Sequence, residues 1–187
     1  GNRATAVGYG ALYAQNFTTS TDNYNVGVGY GAGTAVTTGL YNTLLGSRAG
    51  YSLTDADLNV AVGNAALYTD TKGSKSTAVG YGALSTQNFT TSTDSHNTAV
   101  GYEAGVAVTT GTANTLVGSL TGDALNTGTN NVAVGASALG TDTVGQRNVA
   151  LGNNALFSQN RSGESSAIGY NVAIGYGAGY ELTTGQA

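Results

Sequence analysis

The pentapeptide Asn97-Thr98-Ala99-Val100-Gly101 recurs, with small changes, along the whole chain. Its glycine falls at Gly8, Gly29, Gly46, Gly63, Gly80, Gly101, Gly118, Gly135, Gly152 and Gly175, at intervals of 21, 17, 17, 17, 21, 17, 17, 17 and 23. A period of this length marks a repeat architecture, in which each rung contacts mainly its neighbours and the chain builds one continuous rod. Residues 1–187 therefore read as a single rod, not as the one or two globular domains that their number suggests. A longer period lies above the rung: Thr5–Gly39 matches Thr77–Gly111 nearly residue for residue at an offset of 72. Four rungs make one unit, and the units run 5–76, 77–148 and, in part, 149–187. Gly1-Asn2-Arg3 aligns with the pre-rung turn Gly145-Gln146-Arg147, and Gly185-Gln186-Ala187 falls in such a turn again. Ends in mid-pattern, without atypical capping rungs, are the expectation for a segment of a longer chain.

The columns of the aligned rungs carry the physics. The residue before the bend glycine is always aliphatic, from Val7 and Val28 to Leu151 and Ile174, and the residue three before it is always Thr or Val. Side chains alternate along a strand, so these two columns share one face, and β-branched residues suit a pleated surface. The column between them is Ala or Gly, apart from Leu44 and Leu116. Neither face carries a charge, which is the pattern of a strand buried on both sides. Four residues before the glycine stand Asn25, Asn42, Asn59, Asn97, Asn114, Asn131, Asn148 and Asn171, replaced only by Ala4 and Ser76. Asn tolerates left-handed turns and, stacked rung over rung, forms an amide ladder.

Beyond the glycine, the third position is Ala except at Thr121, and the fourth is either Leu, as in Leu12 and Leu67, or Gly, as in Gly33 and Gly50. Wherever the fourth is Gly, an aliphatic follows three residues later (Val36, Leu53, Val108, Leu125, Leu182). Each rung thus supplies one further apolar plug to a filled core. The expected fold is all-β, a parallel β-solenoid (β-roll) of ten rungs with about 17 residues per rung. At ~4.8 Å per strand the rod would be roughly 48 Å long.

Asn171-Val172-Ala173-Ile174-Gly175, Ser165-Ser166-Ala167-Ile168-Gly169 and the Asn-Thr-Ala-Val-Gly-Tyr copies resemble the head repeats of trimeric autotransporter adhesins. The run from Thr77 to Leu84 is similar to repeats of phage tail fibres and of surface proteins ending in an endosialidase-type intramolecular chaperone. The resemblance implies a left-handed β-roll with three chains wound into one stalk. It further implies an extracellular, non-enzymatic fibre or adhesin segment that holds a binding end away from a virion or cell. The rungs here are longer than the adhesin head repeat, and every fourth one carries an insertion. Independently, the narrow coil leaves the Ala/Gly face, opposite the Val column, in need of a covering surface. A second copy in closed cyclic symmetry would supply it, as would a wider single-chain coil.

Charged residues make up only 9% of the chain, which has no Cys, a net charge of −4 and six Lys plus Arg. No thiolate metal site or disulfide framework is possible, and there is no basic footprint for nucleic acid. No apolar run reaches the ~18 residues of a membrane span. No catalytic, metal or cofactor-binding residue is assigned. His96 is the lone histidine and aligns with Tyr24 of the preceding unit, which is a poor setting for a catalytic base beside a nucleophile. Gly29-Tyr30-Gly31-Ala32-Gly33 lacks the third glycine of a dinucleotide loop, and Asp55-Ala56-Asp57 lacks the Gly and Glu of a calcium loop.

Three patterned columns remain. Thr37, Thr54, Thr71, Thr109, Thr143 and Thr183 lie eight residues after the glycine. They suit a hydroxyl ladder at a turn, or else an ice-binding array. Tyr9, Tyr30, Tyr81, Tyr102 and Tyr176 directly follow the glycine, within stacking reach of one another. They suit packing between rungs or chains, or a host or matrix glycan. The insertions Gln15–Tyr24, Gln87–His96 and Gln159–Tyr170 each open on a sequon, at Asn16, Asn88 and Asn160, and are candidates for N-glycosylation on one side of the rod.

Overall fold

A computed structural model of the chain describes residues 2–160 and 168–183. These residues are all-β, with no helix among them, and form a parallel β-solenoid with successive strands mostly 17 residues apart. Ten three-residue strands stack in sequence order as one sheet: β1 (Thr5–Val7), β2 (Val26–Val28), β3 (Thr43–Leu45), β4 (Val60–Val62), β6 (Thr77–Val79), β8 (Thr98–Val100), β9 (Thr115–Val117), β10 (Val132–Val134), β11 (Val149–Leu151) and β12 (Val172–Ile174). A second parallel pair, β5 (Gly73–Ser74) with β7 (Thr93–Asp94), ties the inserted loop of the second unit to the rung before it. Aligned columns pair in register throughout, as in Ala99↔Leu116 and Ala133↔Ala150. The ten strands close about nine turns, one fewer than the ten rungs expected. A turn is complete only when the chain returns to the sheet, and nothing after β12 does so among the described residues.

The bend glycine answers two demands at once. In the stacked rungs it has φ between +117 and +141, which L side chains rarely adopt. It also lies against the next rung: a Cβ on Gly46 would sit 2.5 Å from the Gly63 carbonyl oxygen. Four residues on, the chain needs the left-handed region, and Leu12 (φ 49), Leu84 (φ 50), Gly33 (φ 60) and Gly105 (φ 61) all adopt it. For leucine that conformation costs about 1–2 kcal/mol, which burying its side chain offsets by about 1.5–3 kcal/mol.

Those leucines decide which strand face is the inside, and here the expectation is corrected. The small column does not wait for an outside partner. It is the interior wall, with Leu44, Ala61, Ala78, Ala99, Leu116 and Ala133 fully buried. The Thr/Val and aliphatic columns point outward. The coil is too narrow for large residues from both walls at one level. Leu12 from the far wall lies over Gly27, where an added Cβ would meet its Cγ at 2.9 Å. Where the far wall has glycine at two successive levels, the strand between them supplies leucine. Leu44 reaches over both Gly33 and Gly50, whose added Cβ atoms would meet its methyls at 2.6 and 2.7 Å, and Leu116 does the same over Gly105 and Gly122. Complementary volumes keep the interior filled along the axis.

The asparagine column runs buried beside this core. Asn42 donates its backbone N–H to Asn25 Oδ1 (2.8 Å), Asn114 to Asn97 Oδ1 (2.9 Å) and Asn148 to Asn131 Oδ1 (3.0 Å). Asn59 Oδ1 accepts from Ser76 N, and Asn171 N donates to Asn148 Oδ1. Across the coil, the side-chain amides of Asn25, Asn42 and Asn114 donate to the carbonyls of Gly39, Ala56 and Gly128. Asn25, Asn42 and Asn114 therefore each link two rungs and pin their own return turns. Buried polar groups satisfied in this way avoid a desolvation cost of about 1–3 kcal/mol apiece.

Candidate functional site

Two surfaces of the rod have the continuity that a partner could use. The first is the outward sheet face. It carries Thr or Val in one column and Val, Leu or Ile in the other, with no charge from β1 to β12. Neighbouring rungs leave most of these side chains half-buried, but Val132 and Val134 are 37% and 38% exposed, and Ile174 at the end is 69% exposed. Nine ladder steps of ~4.8 Å and a three-residue width give a strip of about 43 by 10 Å. That is roughly 400 Å² of uncharged, mostly β-branched surface, within the size range of patches that mark interaction sites on monomers.

The second surface is a tyrosine edge, around the bend from the first. Tyr9 stacks on Tyr30 and Tyr81 on Tyr102, with ring centroids 5.6 and 5.4 Å apart. Sequence reading identified that column and missed a second one, five residues after the glycine. Tyr51 there stacks on Tyr68 at 5.4 Å and Phe157 on Tyr180 at 5.2 Å. The signal was available, since Tyr13, Tyr51, Tyr68 and Tyr180 hold the same aligned position. A third stack, Tyr24 on Tyr41, lies before the strands, with the Arg3 guanidinium over Tyr24. Between the first two columns Tyr9, Tyr13, Tyr30 and Tyr51 line a groove of about 270 Å³. At the corresponding level of the second unit the edge is acidic. Burial pushes the Asp123 carboxyl up, with a further contribution from the Glu103 charge, and a hydrogen bond to Glu103 pushes the Tyr102 phenol up.

The remaining sequence candidates are dispersed. Threonine hydroxyls of the turn column are engaged along the axis: Thr37 Oγ1 donates to Thr54 O (3.2 Å) and Thr54 Oγ1 to Thr71 O (3.0 Å), while Thr109 bonds Asn126. Of the sequon asparagines, Asn16 is exposed and Asn88 half-buried, accepting from Thr71 Oγ1. Asn160 is half-buried, and its sequon partners Arg161 and Ser162 lie outside the described residues. His96 is exposed at a pre-strand turn. Asp55 pairs with Lys72 at 3.7 Å, whereas Asp57 accepts the Leu40 N–H at 2.7 Å, so the two carboxylates serve separate contacts. No group of three His, Cys, Asp or Glu is placed to hold a metal among the described residues.

One polar device escaped sequence reading. Seven residues after the bend, the rung before each later insertion carries Asp70 or Asp142, and the inserted rung carries Gln87 or Gln159, all fully buried. Gln87 Nε2 donates to Asp70 Oδ2 (2.5 Å) and Gln159 Nε2 to Asp142 Oδ2 (2.6 Å). Asp70 Oδ1 also accepts the N–H groups of Gly73 and Phe89, and Gln87 Oε1 accepts Asn97 Nδ2. These pairs stand where other rungs place aliphatics, and they anchor the start of each loop.

Comparison with protein-family models, with curated proteins and with solved structures gives no match to this chain.

Proposed function

We propose that the chain is a structural, non-enzymatic segment of an extracellular fibre, a tail-fibre shaft or a cell-surface filament or adhesin, that self-associates as a homotrimer through its outward sheet face. The observation that carries this is the strip itself: uncharged, mostly β-branched and in register from β1 to β12. A strand without a polar face is ordinarily covered on both sides, and the interior covers only one. A second and a third copy are the natural cover, because the face is the same on every chain and closed rotational symmetry is the usual form of homo-oligomers. The resemblance to β-roll adhesin heads adds the left-handed coil and the trimeric stalk. Mechanically, backbone ladders along the axis, such as Thr98 N to Asn114 O (2.8 Å) and Gly118 N to Val100 O (2.8 Å), make a stiff spacer for a binding end.

Replacing outward residues tests this without disturbing the core. Val62→Lys with Val100→Lys should leave the far-ultraviolet circular dichroism unchanged and convert trimer to monomer by light scattering. A double variant with the wild-type mass would refute the assignment of the interface. A second reading is favoured by the same face: a straight column of Thr and Val beside one of Val, Leu and Ile is an uncharged, regular surface that could order water for ice binding. That reading requires a free monomer and thermal hysteresis at high protein concentration, and a zero value removes it.

A further inference from the structure

The groove on the tyrosine edge has a construction that packing between rungs does not require. The aromatic column that holds Tyr13 and Tyr51 is interrupted between them by Thr34. Two ladder steps separate the tyrosines, roughly 10 Å at the strand spacing. The ladder elsewhere holds its rings near-parallel, 11° for Tyr9 with Tyr30 and 19° for Tyr51 with Tyr68. The missing ring therefore leaves a slot with an aromatic residue at either end. Gly10 and Gly31 form its floor, and a Cβ on Gly31 would already sit 3.3 Å from Tyr51 Cε2 and 3.2 Å from Thr34 Oγ1. Tyr9 and Tyr30 make the side wall and are 80% and 52% exposed.

We propose that this slot is a saccharide-binding subsite that takes one hexopyranose ring of an oligosaccharide between Tyr13 and Tyr51. Three features select that class. No charged residue lines the slot, so the guest is held by contact and hydroxyl groups, not by charge. The negative faces of aromatic rings attract polarised C–H groups, and the tyrosine hydroxyls supply hydrogen-bond partners at the rim, while Thr34 Oγ1, which donates to Gly10 O at 3.0 Å, is left to accept. The gap also has room for a single ring, since it is the place that one side chain of the aromatic column would take. With about 270 Å³, the groove is close to the ~300 Å³ lower bound of small-molecule clefts.

The second unit shows that the fold does not need the slot. Its near-copy carries Ser85, Glu103, Val106 and Asp123 where the first has Tyr13, Gly31, Thr34 and Tyr51. Glu103 takes the same left-handed backbone as Gly31 (φ 51 against φ 64). The slot lies around the bend from the outward sheet face, so the subsite goes beyond the fibre reading and does not depend on it.

The test uses the full chain on an array of neutral, amino and sialylated oligosaccharides, beside the triple variant Tyr13→Ser, Gly31→Glu, Thr34→Val. Those are the residues the second unit tolerates, so the variant should fold and melt as the wild type does. Wild type should bind a defined set of oligosaccharides, and the triple variant should bind them at least tenfold more weakly. Tyr13→Phe, which keeps the ring, should retain most of the binding. The proposal is overturned if no oligosaccharide is bound, or if the triple variant binds the same set undiminished. Neither result changes the mass in solution, so failure here is separable from failure of the trimer.

Discussion

Substituting one bend glycine probes the coil more sharply than any core truncation. At Gly46 the backbone has φ +136, and a Cβ would lie 2.5 Å from the Gly63 carbonyl oxygen and 2.7 Å from its carbon. An ordinary C···O contact is ~3.3 Å or longer, so the rungs must part by almost 1 Å or the strand must twist. Parting them weakens the two hydrogen bonds that join these rungs at the bend, Gly63 N to Leu45 O (2.8 Å) and Ala65 N to Ser47 O (3.0 Å). Backbone strain of about 1–3 kcal/mol and about 1 kcal/mol for each weakened bond place Gly46→Ala roughly 3–5 kcal/mol below wild type. For a chain of this length that is about 10 °C in melting temperature. Gly82→Ala is the matched control: its φ is +63, its nearest neighbour is the flexible Glu103 Cγ at 3.3 Å, and Ala65 already occupies the aligned position of another rung. It should cost about 1 kcal/mol. Thermal melts followed by circular dichroism, at one protein concentration, compare the two. If Gly46→Ala melts within 2–3 °C of Gly82→Ala, by the same conversion, the close stacking of bend on bend is wrong.

Asn114→Ala should cost about 2–4 kcal/mol, because it orphans the Asn131 N–H and the Gly128 carbonyl inside the rod; urea unfolding measures it, and a loss under ~1 kcal/mol would contradict the ladder. Asp70→Ala leaves Gln87 Nε2 and the N–H groups of Gly73 and Phe89 without their acceptor. Hydrogen exchange at Phe89 and Gly73 should then accelerate at least tenfold while the distant strand β11 stays protected, and uniform protection would show that the buried Asp–Gln pair is dispensable. If the sequons at Asn16, Asn88 and Asn160 are used in the native source, intact mass will exceed 18.5 kDa by whole glycans; the bare mass ends that proposal.

The stacking register was legible because it needs only counting: equal intervals between bend glycines place equivalent residues in equivalent pairs, as in Val26↔Thr43. The facing of the strand was not legible from the strand alone. Alternation shows that Val100 and Thr98 share a side and Ala99 takes the other, but not which side is in. That depends on what the far wall brings across the coil. The deciding signal lay in the pairing of columns, since Leu44 and Leu116 appear where Gly33, Gly50, Gly105 and Gly122 vacate the opposite wall. Asp70 and Gln87 looked like turn residues because nothing local marks a polar side chain as buried. Their replacement of aliphatics in alternate pairs of rungs was the available clue. The tyrosine slot escaped for a similar reason, being defined by an interruption in a column and not by a motif.

The most direct test of the rod is a distance along its axis. Tyr9 and Tyr176 occupy the same aligned position in the first and last strands' rungs and are 80% and 84% exposed, so both can be replaced by Cys in a chain that has none. Spin labels at the two sites, in labelled chain diluted into unlabelled chain before refolding, report the distance within one molecule by pulsed electron resonance. Nine turns at ~4.8 Å each predict one narrow distribution centred near 43 Å. A distribution centred below ~30 Å, or one too broad to define nine stacked steps, would contradict a single continuous solenoid.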